Sequence, residues 1–420
     1  MSAEAIIARE RAAYRAAHPA SERMRERARR ALLDGVPLHW MDLYALPYPF
    51  YLDRAEGNRV RDIDGNDYLD FGLCGTAALW GHSGAEILSE LADDPGGGVV
   101  SGWPGEDSVR VAENLAGRFG LPLWQFTLSA TDANRTALRL ARLATGRPGV
   151  LAFTGCYHGN LDELTTAERV EFNDPPALER ALARGDIAAV IAEPVRTTGG
   201  GIAAPDDGFH PRLRELTRAA GALLVVDETQ TIVAGPAGVT GSGTGLDPDL
   251  LVLGKSFAFG LPIGAVGMTQ PVADAFHAHT HPSNQGGLGG TLNAGQLPMR
   301  MARRCLETAM TEAAYRRMSA HAARLADGLD DAIRRAGLPW TVARLGAMVT
   351  CALPHNDPTL RDLLFLYLAN RGVLVGCFGG AAVVSPHTTA ADVDALLDAA
   401  RAAITEIASE PPGPQPDRLR

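Results

Sequence analysis

Apolar residues fall into three patterns along the chain. Over residues 2–33 they are scattered among Ala, Arg and Glu, which predicts one or two charged helices stopping near Asp34-Gly35. The stretch "FYLDRAEGNRVRDIDGNDYLDFG" then changes period. Short apolar runs flank Asp64-Gly65-Asn66, a turn signal that predicts a hairpin. From about 120 to 270 short apolar runs alternate with helical spacing: "WQFTL", "GVLAF", "IAAVIAEP", "ALLVVDETQT", "DLLVLGK" and "IGAVGM", each closed by a polar or Gly-rich turn. A strand apolar on both faces must be covered on both, so these runs predict a mostly parallel sheet flanked by helices, an α/β layered fold.

Beyond Thr291 the chain turns Ala- and Arg-rich. Helical stretches are expected near 294–311 and 313–336, strands at "GAMVTCAL", "GVLVGCFG" and "AAVVSP", and a closing helix at "AADVDALLDAARAAITEIA". The expected division is a helical and hairpin segment (1–65) and an α+β segment (301–410) forming a small domain, with a large α/β domain over 66–300. The Pro-rich tail 411–420, "PPGPQPDRLR", is expected to be disordered. No internal repeat is visible.

Composition narrows the function. The 420 residues carry a formal net charge of −10, which argues against a general nucleic-acid binder because displacing counterions needs a basic face. The five cysteines (Cys74, Cys156, Cys305, Cys351, Cys377) form no C-x-x-C pair, so neither a metal site nor a disulfide framework is expected. The first 35 residues lack the apolar core of a signal peptide, and no run reaches membrane-spanning length, so a soluble cytoplasmic protein is expected. One count stands out. Of 39 basic residues only Lys255 is a lysine. Arginine stays charged, whereas a desolvated lysine amine loses its proton and can attack a carbonyl to form a Schiff base. A solvated surface lysine is the alternative.

In parallel α/β sheets ligands bind beyond the carboxyl ends of the strands. "ALLVVDE" delivers Asp227 at such an end, "DLLVLGK" delivers Lys255, and "WQFTLSAT" delivers Ser129 and Thr131 before a helix whose free N–H groups suit a phosphate. Pyridoxal phosphate (PLP) asks for this set: a lysine for its aldehyde, an acid for its ring nitrogen and a cradle for its phosphate. Singly, each piece is also ordinary helix-capping chemistry.

These pieces, with "YLDRAEGNRVRDIDGNDYLDF", "SATDANRTALRLARLATGR", "GCYHGN", "AEPV", "LGKSFAFGLPIGAVG" and "GGTLNAG" in the same order, resemble the class III (subgroup II) aminotransferases of PLP fold type I, particularly those like glutamate-1-semialdehyde aminomutase. The resemblance implies that Lys255 holds the cofactor and shuttles a proton, and that Asp227 pairs with the ring nitrogen. It places Ser129, Ala130 and Thr131 at the phosphate, Tyr157 stacked on the ring with His158 in support, and Glu193 near the cofactor. Thr291 reaches the phosphate of a neighbouring subunit, which makes a homodimer part of the active site. Tyr157 as core, His158 as a structural hydrogen-bonding group and Thr291 as a helix cap are the plainer alternatives.

The chain also departs from that pattern. Ala130 replaces a glycine, which costs if the position needs positive φ. Thr198 stands where the aminomutase-like pattern has an asparagine, with a shorter reach to the ring oxygen. The regions "GVPLHWMDLYALPYP" and "GGAAVVSPHTT" hold no arginine to fork a substrate carboxylate. Arg196 is the nearest candidate for that task. His39, Trp40, Tyr44 and Tyr48 suit either an aromatic pocket or subunit packing, and Cys74 and Thr76 are expected to border substrate. Phe257 and Phe259 shape the pocket or pack beneath it. The leading expectation is an aminotransferase that passes an amino group from an amine or amino acid to a keto acid or aldehyde. The alternatives are a PLP isomerase (aminomutase or racemase) and a non-catalytic binding protein.

Overall fold

The computed structural model describes residues 3–82, 84–100, 102–280, 286–376 and 380–409. The chain opens with helices α1 (Ala3–Ala17) and α2 (Pro19–Ala28), followed by strands β1 (Leu52–Glu56), β2 (Arg59–Asp62) and β3 (Asp67–Asp70). The central part runs α3 (Ala85–Asp93), α4 (Glu106–Phe119), β4 (Leu123–Thr127), α5 (Ala130–Thr145), β5 (Gly149–Phe153), α6 (Asp162–Thr165), β6 (Glu168–Val170), α7 (Pro175–Leu182), β7 (Ile187–Ala192), α8 (Phe209–Ala220), β8 (Leu223–Asp227), β9 (Leu250–Leu253), β10 (Gly264–Met268), α9 (Gln270–His279) and α10 (Gln296–Arg304). It closes with α11 (Glu312–Arg335), β11 (Thr341–Leu345), β12 (Met348–Ala352), α12 (Pro358–Ala369), β13 (Val373–Leu374), β14 (Ala382–Val383) and α13 (Ala390–Ala408). The expected strand at "GVLVGCFG" shrinks to Val373–Leu374, and its last residues, like the tail 411–420, lie outside the described residues.

Two compact units emerge. One takes Met1–Cys74, Gly81–Ser83 and Met318–Arg420, the other Gly75–Trp80 and Gly84–Arg317. The chain passes between the units near residues 74 and 317. In the first unit, the Asp-Gly-Asn turn joins β2 to β3 as an antiparallel pair, and β13 adds to β3 in parallel. Asp62 explains the turn: its carboxylate accepts from the N–H groups of Asp64 (3.0 Å) and Asn66 (2.8 Å).

The second unit is built on a seven-stranded sheet of order β4-β10-β9-β8-β7-β5-β6. Alternate residues of each strand serve opposite faces. Val150, Ala152, Ala189, Ile191, Val225 and Val252 pack under Ala133, Ala137, Leu138 and Ala141 of α5. Their neighbours Leu151, Phe153, Val190, Ala192, Leu224 and Val226 pack under α7 and α8 through Leu178, Leu182, Phe209 and Leu213. Each fully buried side chain of this kind is worth roughly 1.5–3 kcal/mol relative to exposure.

Only β10 runs against the others, antiparallel to both β9 and β4. The linker from Leu253 to Gly264 is too short to cross back over the sheet, so the chain turns and returns. Six strands therefore end on one edge, and β10 starts there. Among the described residues no helix is long and apolar enough to cross a membrane.

Candidate active site

The sheet edge collects the polar residues that follow the strands. After β4, Ser129 caps α5: its Oγ accepts from Asp132 N at 3.2 Å. The next residues, Ala130 and Thr131, present the N–H groups that a helix's first turn leaves free. Three glycines let the rest of the edge close on this turn. A Cβ at Gly254 would stand 2.6 Å from Ala130 Cβ, one at Gly264 2.3 Å from Ser129 O, and one at Gly159 2.4 Å from Thr131 Oγ1. Ala130 starts α5 with helical backbone and is not among the positive-φ residues, so the missing glycine costs nothing here.

Asp227 ends β8, buried to 3% exposure. Its Oδ2 accepts from Asn134 Nδ2 (2.9 Å) and lies 3.0 Å from His158 Nδ1, while its Oδ1 accepts from Thr229 N (3.0 Å). Burial works to raise its pKa, yet the hydrogen bonds from His158, Thr229 and Asn134 and the charge of His158 outweigh it. The carboxyl is thus held below its ordinary value, ionised inside the protein. Asn134 also donates to His158 O at 2.9 Å and so fixes acid and imidazole together. His158 Nε2 is buried with no hydrogen-bond partner among the described residues.

Lys255 follows β9 through Gly254. Its backbone is left-handed, φ +60, an uncommon state for a side-chain-bearing residue. The next residue anchors it: buried Ser256 accepts through its carbonyl from Trp80 Nε1 at 2.8 Å. Burial pulls the Lys255 amine down from 10.5 to about 8, against the opposing pull of Asp227 and Glu193. A cavity of about 300 Å³ is lined by Ser129, Ala130, Thr131, Tyr157, His158, Asp227 and Lys255.

Other expected residues sit around this cavity in different ways. Tyr157, 41% exposed, is on its wall, and its N–H donates to Glu193 Oε1 at 3.2 Å. Glu193 itself is buried, with Oε2 accepting from Thr197 N (2.7 Å) and Oγ1 (2.9 Å); burial raises its pKa despite these bonds and the nearby His158. It orders the loops after β5 and β7 behind the wall. Thr198 donates its hydroxyl to Gly155 O at 2.5 Å and is not among the residues lining the cavity. Arg196 lies against Gly155, not on the wall, with a buried Nε that has no hydrogen-bond partner among the described residues. Phe257, 1% exposed, is buried and is not among the residues lining the cavity. Thr76 is fully buried and turns its hydroxyl to Gln230 Oε1 at 3.2 Å, so it braces a wall residue and does not border the cavity. Thr291 is exposed and apart from the cavity. Trp40 and Cys74 belong to the other unit.

Sequence reasoning passed over Asn134, bonded to Asp227, and Thr229 and Gln230, which line the cavity. Asn134 carried a signal: a polar residue on the stripe Ala133, Ala137, Leu138, Ala141 that faces the sheet.

The fold and site define a lysine-and-acid enzyme of the α/β class, and the comparisons agree. The description "Aminotransferase class-III" matches residues 43–172 and 166–404. Glutamate-1-semialdehyde 2,1-aminomutase of Anaeromyxobacter dehalogenans (strain 2CP-1 / ATCC BAA-258) is 36% identical over 329 residues, 72% of this chain and 75% of that one. A glutamate-1-semialdehyde-aminomutase from Pseudomonas aeruginosa PAO1 superposes with a TM-score of 0.91 at 38% identity, covering 96% of this chain and 98% of that chain. A variant of it has been solved in complex with PMP. A β-phenylalanine aminotransferase from Variovorax paradoxus gives 0.86 at 27% identity over 96% and 97%. The chain belongs to the class III aminotransferase family, with its fold-type-I α/β architecture.

Proposed function

We propose that this chain is a PLP-dependent isomerase that moves an amino group between neighbouring carbons of one small amino aldehyde. Glutamate 1-semialdehyde, the compound in the names of its relatives, is the first substrate to test. The cofactor is pyridoxal phosphate. The residues fit it: free helix N–H groups for the phosphate, an ionised buried acid for the ring nitrogen and a single amine for the aldehyde share one cavity.

When bound, the cofactor supplies an electron sink for a carbanion next to the amino nitrogen. The protein does the rest. Ser129, Ala130 and Thr131 hold the phosphate at the start of α5. Asp227, kept ionised by Asn134, Thr229 and His158, holds a proton on the ring nitrogen. Tyr157, on the cavity wall, would cover one face of the ring. The Lys255 amine, with a pKa of about 8, is substantially neutral near that pH and would shuttle a proton between the substrate carbon and the cofactor. Glu193 keeps the Tyr157 loop in place.

The observation that carries the chemistry is the buried Lys255 amine in one cavity with ionised Asp227. The choice of isomerase over the aminotransferase first expected rests on likeness: 38% identity to the aminomutase against 27% to the aminotransferase. The same reading includes a homodimer in which Thr291 reaches the partner's phosphate. Exposed Leu88, Val99, Val100, Trp103 and Leu292, all on the larger unit, are apolar surface for such a pairing. Sedimentation at twice the chain mass is expected, and a monomer speaks against it.

Turnover without any amino acceptor tests the isomerase. PLP-loaded protein given glutamate 1-semialdehyde alone is expected to convert many equivalents per site. Conversion that stops at one equivalent and resumes on adding a keto acid favours the aminotransferase, in line with the neighbour from Variovorax paradoxus.

A further inference from the structure

Lys255 is held in a backbone state that a residue with a side chain rarely adopts. Its φ is +60, and the turn it opens, Lys255–Ala258, is followed by Phe259 at φ +52. Strain of this kind persists only where the surroundings enforce it. On one side the enforcement is plain. Gly254 lies so close to the start of α5 that a Cβ there would stand 2.6 Å from Ala130 Cβ.

On the other side is the carbonyl of Ser256, which accepts two hydrogen bonds. Trp80 Nε1 donates to it at 2.8 Å and Cys305 Sγ at 3.4 Å, and all three residues are buried. A carbonyl oxygen has two lone pairs, so both are used. Each donor is itself fixed. The Trp80 ring meets the Tyr315 ring edge to face, with centroids 5.7 Å apart. Cys305 opens a single wide turn, Cys305–Ala309, in which Met310 N donates five residues back to Cys305 O at 2.9 Å. Arg118 of α4 holds that turn by donating to Leu306 O (2.6 Å) and Met310 O (3.1 Å). Turns of this width are rare and gather at functional sites. All of these residues belong to the larger unit.

We propose that Trp80 and Cys305 are positioning residues for the Lys255 amine: by clamping the Ser256 carbonyl they keep Lys255 left-handed, with its side chain on the cavity. This rests on the PLP reading above. Neither residue lines the cavity, so both act through Ser256. Released from the clamp, the backbone relaxes toward the right-handed state and swings the Cα–Cβ bond of Lys255 from its present direction. The amine then meets the aldehyde carbon out of line, and attack from a misplaced position is slow.

The test follows the covalent step, in which the Lys255 nitrogen bonds to the aldehyde carbon of PLP and water leaves. Cofactor-free protein is mixed with saturating PLP, and growth of the visible band gives the rate constant of that step. Pyridoxamine phosphate carries an amine in place of the aldehyde and forms no such bond, so its dissociation constant reports the pocket alone. Trp80→Phe, which removes the donor and keeps a ring, is expected to slow the covalent step about tenfold. Cys305→Ala, which loses a weaker donor, is expected to slow it about threefold. Both are expected to leave the affinity for pyridoxamine phosphate unchanged. Cys305→Ser, which restores a donor, is expected to recover the wild-type rate, and the Cys305 pair decides the matter where Trp80→Phe does not fold. An unchanged covalent step in Trp80→Phe and Cys305→Ala overturns the proposal. So does an affinity for pyridoxamine phosphate that falls in step with the rate, the mark of a merely structural role. A wild type that grows no visible band at all refutes the PLP reading, a different failure.

Discussion

Lys255 sits where an amine is costly to keep charged. Its pKa is about 8 in the folded protein against 10.5 for the exposed group. Between those values the unfolded chain binds a proton that the folded chain does not. On this group's account, the stability of the cofactor-free protein rises with pH from about 8 to about 10.5 and is lowest below 8. Lys255→Met removes the burden. The variant without cofactor is expected to be more stable than wild type at pH 7, by up to about 3 kcal/mol, with the gain fading above pH 10. Urea unfolding at a series of pH values measures it, and an equal loss at all pH values contradicts it. The lysine was legible in the sequence because it is unique and follows an apolar strand. Asp227 was legible for the same positional reason. The partner of Thr198 was not legible, because its hydroxyl donates to Gly155 O, 43 residues away in sequence. Gln230 was not singled out because its contact with Thr76 spans 154 residues of sequence.

At the scale of elements, the phosphate turn depends on β9 and β10 approaching the start of α5 more closely than a side chain allows. Gly264→Ala puts a Cβ 2.3 Å from Ser129 O and 2.4 Å from Thr127 Oγ1, so strand or turn must shift. The expected cost is about 1–3 kcal/mol in stability and roughly tenfold in the affinity for PLP. Gly117→Ala in α4, where a Cβ meets nothing within 4 Å, is expected to be neutral or to stabilise by up to about 1 kcal/mol. Thermal unfolding and a PLP binding titration separate the two, and equal behaviour contradicts the packing argument. The strands themselves were readable, since runs such as "IAAVIA" and "LLVVD" are apolar on both faces. The edge strand β6 was not, because Glu168–Val170 is short, polar and exposed along most of its length.

For the whole molecule, periodicity gave element types but not strand order. That β10 lies between β4 and β9 is fixed by the packing of segments more than 130 residues apart, and it is this placement that brings Gly264 to the phosphate turn. Gly75–Trp80 groups with the larger unit although the residues before it belong to the smaller, an exchange with no compositional mark. The resemblance carried the family but ranked aminotransferase ahead of isomerase, since both use the same lysine and acid.

One measurement bears most directly on the central claim that Lys255 is the covalent anchor of the cofactor. The chain offers a single lysine, so borohydride reduction of the PLP-loaded protein has one side-chain amine to fix. Peptide mass mapping is expected to find one cofactor per chain on the peptide containing Lys255, and none there after Lys255→Ala. A wild type whose Lys255 peptide stays unmodified would contradict the account.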